Sequence, residues 1–434
     1  MVYRIFTTLL KWKLTRCLLQ KAKYSKLFQK LVPMLREWYE RDAIHQYPFI
    51  SMLGFGSLSK FKTISDALKF KRALIITGPV LINTEVIKKV KTELDDNKIK
   101  YHIFDGTKSN PSIQVVQEII EMYHKTNADA LISVGGGSVH DAAKGAALTL
   151  SNNKSLKKLQ GINVSKNVSI VPIIAINTTA GTGSGVTNVA VITDESKHFK
   201  MTLVDKNIQP HVNVDDSDLM TGLPPKPTTW VGVDTLVHAI EAELSIYGNV
   251  LSKVYARSAM MLVYHYLPIV YRNPKDKKAR EKMAYAEFMA GVAFNSASLG
   301  FIHSLSHALS GLFNTPHGLA NAIIMPYVLD YELKKKKITP QLANISDYMN
   351  MTSYSEDELG KAKETVKNII AFLAELGIPK TLNEVQPKIT KKQIKQMATK
   401  AMKDFCGISN PVQFSRKEVI HIYKNAISGK FDNI

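Results

Sequence analysis

Four residues in the second half of the chain have the types and spacing of a metal site. Asp234 and His238 lie four positions apart in VDTLVHAIEAEL, whose apolar residues recur with a helical period, so both side chains point from one helix face. His303 lies in a second helical run, FIHSLSHALSGLF, and His317 follows it in NTPHGLANAII. One carboxylate and three imidazoles suit a divalent first-row metal such as Fe(II) or Zn(II), with a position left for substrate. The pattern predicts metal-assisted chemistry on a small molecule.

Each of these histidines has an ordinary alternative, because a single helical histidine is more often a surface or satisfied core residue than a ligand. The cluster argues against that alternative, since His303, His307 and His317 fall within fifteen residues of a largely apolar stretch. Burying so many imidazoles beside few acidic residues is costly unless something coordinates them. We expect Thr315 to N-cap the last of these helices, with Pro316 in its first position.

Two glycine-rich loops follow strand-like runs in the first half of the chain. GGGS follows ADALISV and opens a helical run, where glycines let backbone N–H groups approach an anion closely. Ser138 is expected to N-cap this helix, with Asp141 completing a capping-box-like arrangement, and a diphosphate would be held by amides and the helix dipole. A tight structural turn is the alternative, because glycine clusters after strands are common. The loop comprises Gly135, Gly136, Gly137 and Ser138, with Asp141 close by.

The second loop, TTAGTGS at 178–184, follows the apolar run VSIVPIIAI. Its hydroxyls and glycines suit contacts with ribose, phosphate and nicotinamide at the carboxyl edge of a parallel sheet. Two such loops together with one metal cluster predict a dinucleotide that faces a metal-bound substrate.

The secondary structure that carries these residues divides into two regions. From about residue 46 to 222, strand-like runs alternate with helical patterns, which predicts a parallel sheet with helices on both faces. After LPPKP the strand signals end, and residues 223–434 are predicted to form successive helices. The predicted strands are 73–78, 100–105, 128–134 and 168–176, followed by a hairpin at 188–204. Helix breaks are expected at Gly311, Pro316, Pro340, Pro379 and Pro411.

Composition is that of a globular protein of two domains: 434 residues, 45% hydrophobic and 22% charged. The two cysteines, Cys17 and Cys406, exclude a disulfide framework and a cysteine-based metal cluster, so a reducing compartment is expected. No apolar run is long enough to span a bilayer, and the N-terminus lacks a cleavage site, so we expect a cytoplasmic protein.

The formal charge of +20 is partly concentrated in residues 1–45, which form a basic extension predicted to be an amphipathic helix. No nucleic-acid-binding motif accompanies the charge, so no nucleic-acid partner is expected. Two roles stay open for the extension: a helix docked on the protein or a neighbouring subunit, or a peripheral anchor on anionic lipid at the inner face of a membrane. Its apolar face comprises Tyr24, Leu27, Phe28, Leu31 and Leu35.

From about residue 47 to the C-terminus the chain resembles the iron-containing (group III) alcohol dehydrogenases. The resemblance lies in GGGSVHDAAK (135–144), TTAGTGS (178–184), GVDTLVHAIEA (232–242) and NSASLGFIHSLSHALSGLFNTPHGLANAIIMP (295–326). It implies an N-terminal parallel-sheet dinucleotide-binding α/β domain over 46–222, a C-terminal helical metal-binding domain over 223–434, and an active site in the cleft between them. We expect a homodimer.

The resemblance also implies roles for single residues. The metal ligands would be Asp234, His238, His303 and His317. His307 would be a further active-site histidine, which either relays a proton or only orients His303. The diphosphate would be bound by Gly135, Gly136, Gly137 and Ser138 near Asp141, and the rest of the cofactor by Thr178, Thr179 and Thr182.

The chain departs from the family pattern at three positions of the cofactor loops. Many NAD-using members carry an Asp after the first strand, where it meets the ribose 2′-hydroxyl, and this chain has Gly78 there. Without that carboxylate a 2′-phosphate is not repelled, so either NADP or NAD is expected. A common Glu is replaced by Gly185 and a common Pro by Asn177.

The resemblance predicts a metal-dependent alcohol dehydrogenase or aldehyde reductase, with a small alcohol or aldehyde as substrate. A polyol(-phosphate) dehydrogenase or dehydroquinate-synthase-like enzyme of the same architecture is one alternative. A membrane-attached binding protein without turnover is the other.

Overall fold

The computed structural model describes residues 45–165, 170–197 and 199–434. All but the last residue of the predicted basic extension lies outside this part of the chain. The strands are β1 (Ile50–Leu53), β2 (Arg72–Ile76), β3 (Lys100–Phe104), β4 (Ala130–Gly135), β5 (Gly161–Ile162), β6 (Ile173–Asn177), β7 (Val189–Asp194), β8 (Phe199–Val204) and β9 (Val212–Asp215). Among them run helices α1 (Phe61–Leu68), α2 (Glu85–Asp96), α3 (Ile113–Thr126) and α4 (Gly137–Asn152).

Six strands form one parallel sheet in the order β1-β9-β6-β4-β2-β3. The last residue of β4, Gly135, is level with the last residue of β6, Asn177. Because these neighbouring strands end at the same edge, both glycine-rich loops leave the sheet side by side. A smaller sheet contains β5, β8 and β7, of which β7 and β8 form the expected antiparallel hairpin.

The sheet is buried on both faces, because successive side chains of a strand pack into two different hydrophobic cores. Leu74 and Ile76 of β2 belong to the core on the α3 and α4 side, whereas Ile75 belongs to the core on the α1 and α2 side. All three side chains are fully buried, and each burial stabilises the fold by about 1.5–3 kcal/mol. Strands covered on both faces therefore have continuous apolar runs.

The rest of the chain is helical. The helices are α5 (Pro225–Leu244), α6 (Val250–Arg272), α7 (Lys277–Ala297), α8 (Phe301–Phe313), α9 (His317–Glu332), α10 (Thr339–Tyr348), α11 (Glu358–Glu375), α12 (Leu382–Val385), α13 (Lys391–Ala401) and α14 (Arg416–Ser428). Helix α5 lies at the centre, buried at every position from Gly232 to Leu244. A helix enclosed on all sides is a rigid support for functional side chains.

The predicted fold class, a parallel-sheet domain followed by a helical region, is confirmed. The last strand ends at Asp215 and α5 begins at Pro225, on either side of the predicted boundary at 222. The predicted helix break at Gly311 is wrong, because α8 runs through it to Phe313. A single helical glycine costs only about 1 kcal/mol, which the burial of neighbours such as Leu309 offsets.

Within the described residues, no single helix has the length and apolarity needed to cross a membrane. The pair α7 and α8 meets those criteria only jointly, and the two helices are bent by 103° at their junction.

Candidate active site

The four predicted metal ligands meet where three helices converge. Asp234 and His238 come from α5, His303 from α8, and His317 is the first residue of α9. Asp234 Oδ1 is 3.8 Å from His303 Nε2 and 3.6 Å from His317 Nε2. The imidazole rings of His238 and His303 stack with centroids 4.7 Å apart. Gly318 allows this convergence, because a Cβ there would lie 2.2 Å from the Trp230 carbonyl oxygen of α5.

The donor atoms next to Asp234 Oδ1 have separations close to those that a metal requires, and Asp234, His238 and His303 each offer one ligand atom within 4.8 Å of the others. Tetrahedral ligands at about 2.1 Å from an ion lie about 3.4 Å apart, close to the distances around Asp234 Oδ1. The Asn321 amide nitrogen stands among these atoms, 2.6 Å from Asp234 Oδ1, 3.1 Å from His303 Nε2 and 3.2 Å from His317 Nε2. Three acceptor atoms thus converge on one electropositive group. The set fits a divalent cation, and its role as the metal site stays a prediction.

Glu241, which was not predicted, fixes the orientation of His303. Its Oε2 accepts a hydrogen bond from His303 Nδ1 at 2.6 Å, and its Oε1 accepts from the Ile302 backbone N–H at 2.7 Å. With Nδ1 donating, Nε2 of His303 is left unprotonated and faces Asp234, the arrangement of a carboxylate–histidine–metal triad. A signal for Glu241 was present in the sequence, since it lies three residues after His238 on the same helix face.

Burial controls the protonation of these groups. Burial raises the pKa of Asp234 to about 7. Burial and the neighbouring imidazoles lower the pKa of His303 and His317 well below the usual value, and burial likewise lowers that of His238. Neutral imidazoles around a carboxyl are in the state in which histidine binds metal.

His307 lies one turn after His303 but does not contact its ring nitrogens. Its Nδ1 pairs with Asp404 Oδ2 at 2.9 Å, and its ring stacks on His317 with centroids 5.1 Å apart. Burial raises the pKa of Asp404, but the charge of His307 and its hydrogen bond outweigh this effect, and the pKa falls to about 2. The hypothesis that His307 only orients His303 loses support, because Glu241 occupies that position.

The two glycine-rich loops pack directly on each other. The Thr178 backbone N–H donates to the Gly135 carbonyl at 3.0 Å. A Cβ on Gly136 would lie 3.0 Å from Thr179 Oγ1, and one on Gly137 would lie 2.8 Å from Thr182. Helix α4 begins at Gly137 with no side-chain cap. An uncapped helix start between two close loops fits a diphosphate, which the free N–H groups would bind.

The predicted N-cap at Ser138 is wrong, because the helix begins one residue earlier and Gly136 is its cap residue. Ser138 Oγ instead accepts a hydrogen bond from the Asn110 backbone N–H at 3.4 Å. Asp141 does not complete a capping box. It is turned inward, where it accepts hydrogen bonds from Ser184 Oγ at 2.8 Å and the Val191 N–H at 3.0 Å.

The predicted N-cap at Thr315 is also wrong. Helix α9 begins at His317, so Pro316 is its cap residue, and no side chain caps it. Proline cannot donate a hydrogen bond, and its extended backbone turns the chain so that His317 enters the site at the helix start.

The second loop also contacts the helix that carries Asp234. Thr235 Oγ1 lies 3.2 Å from the carbonyl oxygens of both Ala180 and Gly181. A Cβ on Gly181 would lie 2.5 Å from the Val231 side chain, so loop and helix are packed to contact. Residues predicted to bind cofactor and residues predicted to bind metal are therefore joined by direct contacts.

Gly78 follows β2 at the same sheet edge as the other loops. The preceding Thr77 is buried, and its Oγ1 donates to the Val134 carbonyl at 2.9 Å. A Cβ on Gly78 would lie 2.7 Å from the Thr107 carbonyl oxygen. The position therefore excludes any side chain unless the 107 loop moves.

Comparisons with known proteins cover both regions. The family description "Iron-containing alcohol dehydrogenase" matches residues 48–217, and "Fe-containing alcohol dehydrogenase family, C-terminal" matches residues 228–427. Alcohol dehydrogenase 4 of Schizosaccharomyces pombe is 36% identical over 380 residues, which is 88% of each chain. The NAD-dependent methanol dehydrogenase of Bacillus methanolicus is 35% identical and covers 88% of this chain and 98% of its own. The crystal structure of a 1,3-propanediol oxidoreductase has a TM-score of 0.86 at 32% identity, over 89% of this chain and 100% of that one.

Proposed function

The chain belongs to the iron-containing alcohol dehydrogenase family, and on that premise we propose that it transfers a hydride between a nicotinamide cofactor and a small alcohol or aldehyde. The contact of Thr235 with Ala180 and Gly181 supports this most directly. Hydride transfer requires the nicotinamide and the substrate carbon in contact. A cofactor loop that packs on the ligand helix supplies that proximity.

The predicted ligands Asp234, His238, His303 and His317 would hold the metal, either Fe(II) or Zn(II). A metal held there acts as a Lewis acid that lowers the pKa of an alcohol or polarises a carbonyl. Glu241 keeps His303 in the tautomer that leaves Nε2 free. His317, whose side chain is 31% exposed against 3% for Asp234, lies at the open side where a substrate would enter.

His307 would exchange the substrate proton at Nε2. Its Nδ1 is engaged by Asp404, so a neutral His307 carries its proton there and accepts at the other nitrogen. Its ring stacks on that of His317 with centroids 5.1 Å apart, and this contact with a predicted ligand supports the role. Asp404 would then stabilise the His307 imidazolium that forms, and its hydrogen bond to Nδ1 would keep the ring in the same orientation.

The cofactor would be bound by the two loops, with Gly136, Gly137 and Ser138 toward the diphosphate and the threonines of TTAGTGS toward the nicotinamide half. NADP(H) is expected to serve as well as NAD(H), because Gly78 leaves no carboxylate against a 2′-phosphate. The protein is proposed to form a homodimer and to be located in the cytoplasm.

Metal-reconstituted protein tests the proposal directly. We expect turnover of short primary alcohols with NAD(P)+, and of the matching aldehydes with NAD(P)H, followed by the absorbance of the reduced nicotinamide. Protein stripped with a chelator serves as the control and should be inactive until metal is restored. A reconstituted protein that binds cofactor but turns over no alcohol or aldehyde would favour the non-catalytic alternative. Turnover confined to phosphorylated polyols would favour the related enzymes.

A further inference from the structure

A second cluster of metal-binding side chains lies beside the first. His307, Asp404 and Cys406 each offer one ligand atom, and these three atoms lie within 4.8 Å of one another. His307 Nδ1 is 2.9 Å from Asp404 Oδ2, and the Cys406 backbone N–H donates to Asp404 Oδ1 at 2.9 Å. All three residues are partly exposed, so an ion from solvent can reach them.

We infer that this cluster is a second divalent-cation site, which takes a thiophilic ion such as Zn²⁺ or Cd²⁺. Imidazole, carboxylate and thiolate together are a ligand set of zinc and its heavier congener. Tetrahedral donors around such an ion lie about 3.3–3.8 Å apart. The longest separations, up to 4.8 Å, must therefore shorten by about 1 Å, and the 2.9 Å His307–Asp404 pair must open by about 0.5 Å. The set at Asp234 contains no sulfur, which makes the two sites chemically distinct.

The three side chains of the second site can bind a cation without any oxidation or reduction. Asp404 is ionised, and Cys406 is a neutral thiol because burial, together with the nearby Asp404, raises its pKa. Binding replaces the thiol proton, which leaves to solvent, and forms a metal–sulfur bond. The raised pKa argues against a role for Cys406 as a nucleophile or redox sensor, since those need a thiolate in the free protein.

Occupancy of this site would inhibit the activity proposed above. An ion on His307 Nδ1 breaks the contact with Asp404 and adds positive charge beside His317, whose ring is 5.1 Å away. His307 would then hold its proton at Nε2 and could not accept another. Excess thiophilic metal should therefore lower turnover although the first site stays filled. This consequence rests on the proposed function, whereas the binding itself does not.

The test uses enzyme whose first site is already loaded, titrated with Cd²⁺ while thiolate-to-cadmium charge-transfer absorbance and turnover are both recorded. The chain has two cysteines, which gives a matched pair of variants, Cys406→Ser and Cys17→Ser. We expect wild type and Cys17→Ser to bind one equivalent with a thiolate band and to lose activity. Cys406→Ser should show no band, and its half-inhibiting Cd²⁺ concentration should rise at least about tenfold.

Thermal unfolding checks that Cys406→Ser is folded. Asp404→Asn is a second variant, which retains the thiol, and we expect its affinity for cadmium to fall. Absence of a thiolate band from wild type, or its persistence in Cys406→Ser, would overturn the site. A band without loss of turnover would leave the site standing and overturn the inhibition. A band in protein without any turnover would mean that the site stands and the proposed function fails.

Discussion

At the candidate metal site, burial sets the protonation of each residue before an ion arrives. Asp234 is 2% exposed, and its only acidic neighbour on the same helix face, Glu241, is 3% exposed. Two carboxyls and two imidazoles at such burial, those of His238 and His303, are costly if any of them carries an unpaired charge. The protein meets this cost by keeping the imidazoles neutral and the pKa of Asp234 high. A cation would offset the remaining cost.

Loss of one predicted ligand should abolish activity without unfolding the protein. We expect His238→Ala and His317→Ala to lose bound metal and to lower kcat/KM at least about 10³-fold, equivalent to about 4 kcal/mol of transition-state stabilisation. Metal analysis, steady-state kinetics and circular dichroism measure the three quantities. His265→Ala, on the exposed side of α6, is the control. Full metal content with unchanged kcat in either ligand variant would contradict the assignment.

Glu241 should tune metal affinity through His303. Glu241→Gln keeps the size of the side chain but cannot supply the negative charge that would hold the His303 Nδ1 proton once a metal is bound, so metal affinity should fall about 10–100-fold. Competition with a chelator measures the affinity. The matched control is Glu243→Gln on the same helix, which removes the ion pair to Arg257. That variant should lower the unfolding temperature but leave metal affinity unchanged, and equal losses in both would argue against a specific role for Glu241.

Metal affinity should rise with pH between about 6 and 8. The pKa of Asp234 is raised to about 7, so below that pH the metal must displace a proton, and above it the carboxylate is already free. One displaced proton changes the apparent affinity by up to about tenfold per pH unit. Glu241, with a pKa raised to about 8, adds to the same trend, and Glu241→Gln isolates the part due to Asp234. The imidazoles stay neutral over this range and should not contribute.

At the scale of secondary-structure elements, close contacts of the cofactor loops determine which loop positions can accept a larger side chain. The position of Gly78 illustrates this, because replacing it with Asp would force a Cβ to within 2.7 Å of the Thr107 carbonyl. A change in cofactor preference in that variant would report loop displacement as well as charge. Pro79 is exposed and adjacent, so it can carry a carboxylate without such a clash.

NADP(H) should support turnover at least as well as NAD(H) in the wild type, because no carboxylate follows β2. Pro79→Asp should shift the ratio of kcat/KM values toward NAD(H) by repelling the 2′-phosphate, whereas Pro79→Asn, of equal size, should leave it unchanged. Steady-state kinetics with both cofactors give the ratio. Strict specificity of the wild type for NAD(H) would show that another feature of the loop excludes the phosphate.

Strands that are long apolar runs could be predicted from the sequence, and three short strands, β1, β5 and β9, could not. Strands β2, β4 and β6 are apolar runs that end in glycines or polar loops, so their existence followed from composition. Strand β9 is only four residues long, VNVD, and two of them, Asn213 and Asp215, are polar and buried. Their burial is tolerated because Asn213 accepts a hydrogen bond from Asn177 of β6 and donates one to Asp215. Polar residues that are satisfied only across the sheet give no local strand signal. Asp404 was missed for a similar reason, since its partner His307 lies 97 residues away.

For the molecule as a whole, the predicted N-terminal extension at 1–45 overlaps the described part of the chain at one residue, His45. His45 is already part of the fold, because its Nε2 is 2.9 Å from Asn249 Oδ1 and its Nδ1 is 3.0 Å from Ser296 Oγ. Gln46 likewise contacts Gln209, which donates to its carbonyl at 3.1 Å. The basic segment predicted at 1–45 should therefore be cut after residue 44 if the rest is to stay intact.

Removal of residues 1–44 should leave catalysis unchanged and weaken attachment to anionic membranes. The segment combines the predicted apolar face with ten Lys and Arg residues, and all of the residues that carry the proposed chemistry lie beyond it. Each basic residue near an anionic surface contributes about 1 kcal/mol, so several together would hold the protein reversibly. Salt should weaken the attachment because counterions screen it.

Co-sedimentation with vesicles of acidic and of neutral lipid, at low and high salt, measures the difference between the full-length and truncated proteins. We expect the full-length protein to sediment only with acidic vesicles at low salt, and the truncated protein to stay in solution with the same kcat. Equal sedimentation of both forms would assign the segment to a helix docked on protein, because such a helix gains nothing from lipid. A fall in kcat on truncation would also favour the docked helix, since the segment would then contribute to the folded enzyme and not to membrane attachment.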